Sequence, residues 1–259
     1  MALTNKTIAS TYGDILQADN NGSGRTANGT NIKDGLGQST ALTLGQNKLH
    51  VKPSSDQTDA VLIETSGGTD LLNVDTTNSA VKVGTTQTYA NTQIQRFAVH
   101  DLQPTADTHH LLQVDGHILT ASVPANFGTG TDPATTYTLG SSETSAISLV
   151  ASIWYIPTAM TIDEVRVIAS GEASDSVNFH LYSYTMASGT GADAGDLSSG
   201  TLLAHNGSTL TVGNDRVTTT TLTVDSANVA ADKVVIATIE NVGATTDLHS
   251  QLIVKYHYQ

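Results

Sequence analysis

The chain has 259 residues, 11 Lys and Arg against 24 Asp and Glu, a formal net charge of −13 and no Cys. Disulfides and thiolate metal sites are excluded, and cations are too sparse for a groove that neutralises several phosphates, Arg96 being the only one between Val83 and Val165. No apolar run reaches the ~18 residues of a membrane span, and positions 1–12 lack the apolar core of an export signal, so neither is expected.

Thr is the dominant residue, at 40 copies, with 22 Gly beside it. Strand formers are plentiful and the Glu, Lys and Arg that build soluble helices are few, which predicts an all-β protein. Positions 1–52 come first. Asp19-Asn20-Asn21-Gly22-Ser23-Gly24, Asn28-Gly29 and Asp34-Gly35-Leu36-Gly37 are turn signals. The large apolar residues here are too few to close a core, so this segment is expected to order only against a partner or copies of itself.

Positions 53–124 are expected to form an intertwined β shaft or neck. Val61-Leu62-Ile63, Leu71-Leu72-Asn73-Val74-Asp75 and Ala80-Val81-Lys82-Val83-Gly84 are short strands between polar turns. Val81 and Val83 alternate with Lys82 and Gly84. Strands this short do not make a stable sheet alone, but three chains wound on an axis can bury their apolar ridges together.

Positions 125–259 read as a domain with its own core. Strands are expected at 137–139, 147–156, 161–170, 177–186, 201–205, 217–225, 234–240 and 251–258, with one helical turn near 227–231. Eight strands in this length suit a jelly-roll-like β-sandwich.

Five groups of residues are candidates for chemistry. His109, Asp115 and His117 share strand parity, so one face could present them as metal ligands, and a threefold axis would multiply them. Polar residues of an exposed junction explain the same spacing, and no metal or other cofactor is expected. The loop Gly191-Ala192-Asp193-Ala194-Gly195-Asp196 has calcium-like donors without an EF-hand order, and reads as a solvated turn. Catalytic motifs are missing: there is no Gly-x-Ser-x-Gly and no His-Glu-x-x-His. Asp163 and Glu164 are adjacent, so a strand sends them to opposite faces. No enzyme activity is expected. Trp154 and Phe179 are expected in the core. Tyr182 and Tyr184 lie opposite Val177, Phe179 and Leu181 in parity, so they could be exposed, on the outer face or at a contact between copies; core or a contact between copies is preferred over sugar binding. Sequons at Asn5, Asn21, Asn28 and Asn206 follow from composition alone.

The opening Leu16-Gln17-Ala18-Asp19-Asn20-Asn21-Gly22, with Lys33-Asp34-Gly35-Leu36-Gly37, resembles the N-terminal region of virion appendage proteins of tailed bacteriophages, marine phages in particular. Leu71-Leu72-Asn73-Val74-Asp75 with Val81-Lys82-Val83-Gly84 resembles the shaft repeats of phage tail and head fibres. Trp154-Tyr155-Ile156-Pro157, Gly200-Thr201-Leu202-Leu203-Ala204-His205-Asn206 and Val254-Lys255-Tyr256-His257 resemble the distal domain of those proteins. The resemblance implies a homotrimeric fibre or spike located on the virion. Positions 1–52 would anchor it to other virion proteins, and the sandwich would face outward to the host surface and its glycans. A capsid-decorating head fibre that stabilises the shell is the first alternative, and a glycan depolymerase spike the second. Nucleic acid and membrane insertion are not expected.

Overall fold

The computed structural model describes residues 16–18, 29–86, 88–114, 126–139, 146–172, 174–189, 194–213, 215–242 and 247–259. The chain divides into two compact units, Met1–Ala90 and Asn91–Gln259.

The first unit holds two antiparallel meanders. One is β1 (Gln17–Ala18), β2 (Thr30–Lys33), β3 (Ser39–Leu44) and β4 (Leu49–Val51), paired in that order. The other is β5 (Val61–Glu64), β6 (Asp70–Asp75), β7 (Ala80–Val83) and β8 (Thr88–Tyr89). Their turns are made by the residues that advertise them. The Asp34 carboxylate accepts from the backbone N–H of Leu36 and Gln38, and Gly37 takes a φ of 82° that a side chain would resist. Between β6 and β7, Asp75 accepts from the N–H and the side-chain amide of Asn78. Its carboxyl is held below the usual range by those two bonds, with a lesser contribution from Lys82.

The second unit is the sandwich. Its strands are β9 (Thr92–Leu102), β10 (His109–Leu111), β11 (Gln113–Val114), β12 (Trp154–Ile156), β13 (Met160–Gly171), β14 (Asp175–Met186) and β15 (Leu197–His205). They continue with β16 (Leu210–Val212), β17 (Thr218–Thr221), β18 (Thr223–Val224), β19 (Asn228–Val229), β20 (Lys233–Asn241) and β21 (Leu248–Tyr258). One sheet runs β9-β21-β13-β17, with β11 beside β9 and β19 also on β13. The other runs β10-β20-β14-β15-β18, with β12 sharing the β10 edge of β20 and β16 on β14. Let β10 and β12 count as one strand position, and β17 and β19 as another. The sheets then read 1-8-3-6 and 2-7-4-5 in chain order, all neighbours antiparallel. That crossing of sheets is the jelly roll.

Alternation fills the space between the sheets. Phe97, Val165, Val167, Leu252 and Val254 come from one side, and Val177, Phe179, Leu181, Val235, Ala237 and Ile239 from the other. Phe179 is fully buried, as expected. Trp154 is partly buried and packs on this core, its ring 6.2 Å from Phe97 and 4.8 Å from Tyr256.

Three sequence expectations change here. The strand expected at 147–156 is a short helix, α1 (Ala146–Ser152), followed by β12. A ten-residue apolar run fits either period, and here Leu149 is buried while Val150 is 71% exposed. The helical turn expected near 227–231 is instead β19, with Val229 opposite Met160. The sandwich also takes in residues before position 125. β9, placed in the neck by its sequence, pairs along β21 from His257 to Leu248, and Phe97 joins the core.

Candidate functional site: a buried histidine cluster beneath a strap

The second sheet is covered on both faces. β20 shows why: Val234, Val235, Ile236, Ala237, Thr238 and Ile239 run without a polar break except Thr238, and all six are buried. Odd positions face the sandwich core and even ones face outward, where Val234 and Ile236 meet a second apolar cluster. Residues 126–139 lie over that outer face as a strap. Phe127 stacks on Tyr137 at 4.8 Å and meets Tyr184 edge-on at 5.6 Å. Backbone bonds fasten the strap at both ends. The His109 N–H donates to Gly128 O (2.9 Å) and the Phe127 N–H to His109 O (2.8 Å), while Tyr137 and Leu197 exchange both of theirs. The Tyr184 hydroxyl donates to Ala134 O at 2.9 Å.

This strap decides between the alternatives for Tyr182 and Tyr184 in favour of core and against a surface contact. Their parity is as read, opposite Val177, Phe179 and Leu181. They are nonetheless buried, Tyr184 completely, because the strap and Leu149 make a third layer. Burial raises the Tyr182 hydroxyl to about 12, with Asp132 adding to the shift. It raises Tyr184 further. Among the described residues of the sandwich the exposed tyrosines are Tyr155 and Tyr258.

Beside the aromatics the same outer face turns polar. Register brings His109 opposite Glu240 and Glu240 opposite Asn178, then His180 opposite both Thr238 and His205. The His109 and His180 rings meet edge-on at 5.1 Å, and His180 stacks on His205 at 6.3 Å. Carboxylates surround the row. Glu240 lies 4.0 Å from His109 Nε2 and accepts from the Asn178 amide; Asp132 of the strap lies 3.4 Å from His180 Nε2; Asp225 lies 2.7 Å from His205 Nδ1.

His109 Nε2 donates to Gly130 O at 2.8 Å, so the ring is the Nε2–H tautomer and reads the strap directly. His109 Nδ1, His180 Nδ1 and Thr238 Oγ1 are buried without a hydrogen-bond partner. Such a face disfavours charge. Burial, reinforced by the neighbouring His109, pulls the His180 imidazole down to about 4, although Asp132 opposes the shift. The cluster is therefore neutral at its centre and ringed by acids, with the strap as its lid.

Of the metal candidates, His109 alone is described, and it is spent on the strap carbonyl. Asp115 and His117 lie outside the described residues, as do 191–193 of the acidic loop. Asp196 of that loop accepts from the Leu139 N–H at 2.8 Å, again on the strap. Among the described residues no group of three or more His, Asp or Glu is arranged to hold a metal ion. Asp163 and Glu164 are separately engaged, Asp163 by His257 at 2.9 Å and Glu164 by Arg166. Sequence reasoning missed His180 and His205 as partners of His109. Their one local signal was the parity of His180 with Tyr182 and Tyr184.

No family model matches the chain, and no curated protein matches it. Among solved structures, a chain from the structure of infectious bursal disease virus, Gx strain, aligns over 83% of this chain and 38% of its own length. The identity is 10% and the TM-score 0.27. The jelly-roll assignment rests on the strand order and not on that alignment.

Proposed function

We propose that this chain is a structural protein of a virion, a homotrimeric fibre or spike of a tailed phage that attaches the particle to its host surface. One observation carries the reading. The chain couples a closed jelly-roll head to an N-terminal unit whose described residues bury no large apolar side chain. A unit of that kind is completed by assembly. In this reading positions 1–52 dock on other virion proteins, the second meander belongs to the trimeric neck, and the head is carried outward. Repetition of the head around the axis gives weak surface contacts avidity. The histidine cluster is part of the head's architecture, and the protein performs no reaction. Tyr155 and Tyr258 are the aromatic faces available to a host glycan.

Imaging of purified particles with the protein labelled tests this. Label on the tail or its fibres is expected. Label confined to threefold positions of the shell would replace attachment by capsid decoration. Absence of the protein from particles would end the virion reading. Release of reducing ends from host glycan by the purified protein would move it to the depolymerase class.

A further inference from the structure

The outer face of the second sheet carries two different surfaces under one strap. One half is apolar: Phe127 and Tyr137 of the strap close over Tyr184, Val234 and Ile236. The other half is the histidine row. His180 sits in its middle, buried, and its Nδ1 has no hydrogen-bond partner. Its Nε2 lies 3.4 Å from Asp132 of the strap. The other titratable groups around it are His109 of β10 with Glu240 of β20 behind it, His205 of β15 with Asp225 beyond β18, and Tyr182 on its own strand. His109 ties the strap directly, since its ring donates to Gly130 O and its backbone bonds to Phe127 and Gly128. Among the described residues, the inner core that runs from Phe97 to Tyr256 takes in none of 126–139. Lifting the strap therefore uncovers His180 and leaves the space between the sheets closed.

We infer that the strap is an acid-opened latch: proton uptake by His180 favours a state in which residues 126–139 lift off the second sheet while the sandwich stays folded. Charge sets the direction. The ring fits its site as a neutral group, and a second proton makes it a cation whose Nδ1 finds no acceptor. Asp132 works the other way, because a charged His180 attracts it and so holds the strap down. That attraction loses. The Asp132 side chain is 55% exposed and screened by water, whereas that of His180 is 5% exposed. The net result is a drop of the His180 imidazole from the ordinary 6.5 to about 4, with burial as the largest cause. A lifted strap returns the ring to water and to its ordinary value. Between those two values the open form binds a proton that the closed form refuses. The opening equilibrium therefore rises as pH falls through that window and levels off below it. From pH 7 to pH 5 the gain is about tenfold or more. The strap yields before the sheet does, because solvating His180 from the other side would break the β14–β20 ladder from Val177 to Tyr184 and the inner core with it. Opening presents Tyr182, Tyr184, Val234 and Ile236 to solvent in acid alone. The latch does not rest on the virion reading.

Amide exchange of the full chain tests this, read at each pH as protection relative to the unfolded rate. Protection should fall about tenfold or more from pH 7 to pH 5 at the N–H groups of Phe127, Tyr137 and Gly200. These donate to His109 O, Leu197 O and Thr135 O and so report the strap. Trp154, the one tryptophan, packs on Phe97 and Tyr256 in the inner core, so its emission should stay constant over the same range. His180→Gln should keep that emission and abolish the pH dependence of strap protection. His180→Phe, equally unable to take up a proton, replaces a Gln variant that does not fold, and the unaltered chain can overturn the inference by itself. Strap protection indifferent to pH would do so, as would Trp154 emission that changes together with it. A folded neutral variant that keeps the full response would overturn it as well.

Discussion

His180 shows how one residue can set the acid limit of a fold. Facing it are His109 from β10, Asp132 from the strap, His205 from β15, Asp225 beyond β18, Tyr182 on its own strand and, through His109, Glu240 of β20. Its proton affinity falls from the ordinary 6.5 to about 4 on folding. Between those values the unfolded chain binds a proton that the folded chain refuses, so stability drops as pH falls through the window and levels off below it. The full difference is worth about 3 kcal/mol. The midpoint of thermal unfolding of the head should therefore fall between about pH 6.5 and about pH 4, and His180→Gln should flatten that slope. An unchanged slope in the variant would assign the acid sensitivity elsewhere. Gly200 makes a second point at this scale. A Cβ there would come within 2.7 Å of Tyr184 Cε1 and 2.9 Å of the Thr135 backbone, and its N–H donates to Thr135 O. The contact is with main chain, which cannot swing aside. Gly200→Ala should lower the denaturation midpoint by the equivalent of about 1–3 kcal/mol.

At the scale of elements, the strap is the part that makes the outer face of the second sheet a core. Phe127 is its anchor, fully buried between Tyr137 and Tyr184. Phe127→Ala should cost the head about 3–5 kcal/mol. It should also raise amide exchange at His109, Phe127 and Tyr137 before the inner core loosens. Exchange that rises uniformly through the head would mean the strap is not a separate element. The strands that bear this layer were readable locally. Val177-Asn178-Phe179-His180-Leu181 alternates and forms β14; Val81-Lys82-Val83 alternates and forms β7. The layer itself was not readable. Alternation says which residues share a face and says nothing of what covers it, and Phe127-Gly128-Thr129-Gly130-Thr131-Asp132-Pro133 reads as a plain loop because its partners lie in β10 and β14. The unbroken run in β20 was the available clue, since a strand with one wet face would have alternated. The cluster of His109, His180 and His205 escaped for the same reason: 96 residues separate its ends, and only register joins them.

For the whole molecule, the partition of charge makes assembly sensitive to salt in a definite direction. Positions 91–259 hold five Lys and Arg against sixteen Asp and Glu, a net −11, and positions 1–90 hold six against eight, a net −2, which together make −13. If copies associate through the N-terminal unit, as the trimeric reading has it, each added copy brings another strongly acidic head into the same assembly. The attraction is apolar and little affected by moderate salt, while the repulsion is Coulombic and screened over about 10 Å at 0.1 M. Raising salt from about 20 to about 200 mM should therefore tighten the assembly, and sedimentation should show the dissociation midpoint moving to lower protein concentration. An assembly held by ion pairs between copies would respond in the opposite sense. The same experiment at about pH 5 adds a second lever, because histidines, with an ordinary value near 6.5, gain positive charge there and offset the acidic head. Salt should then matter less. A salt response that persists unchanged at that pH would place the repulsion outside the acidic heads and break the link between charge partition and the mode of association.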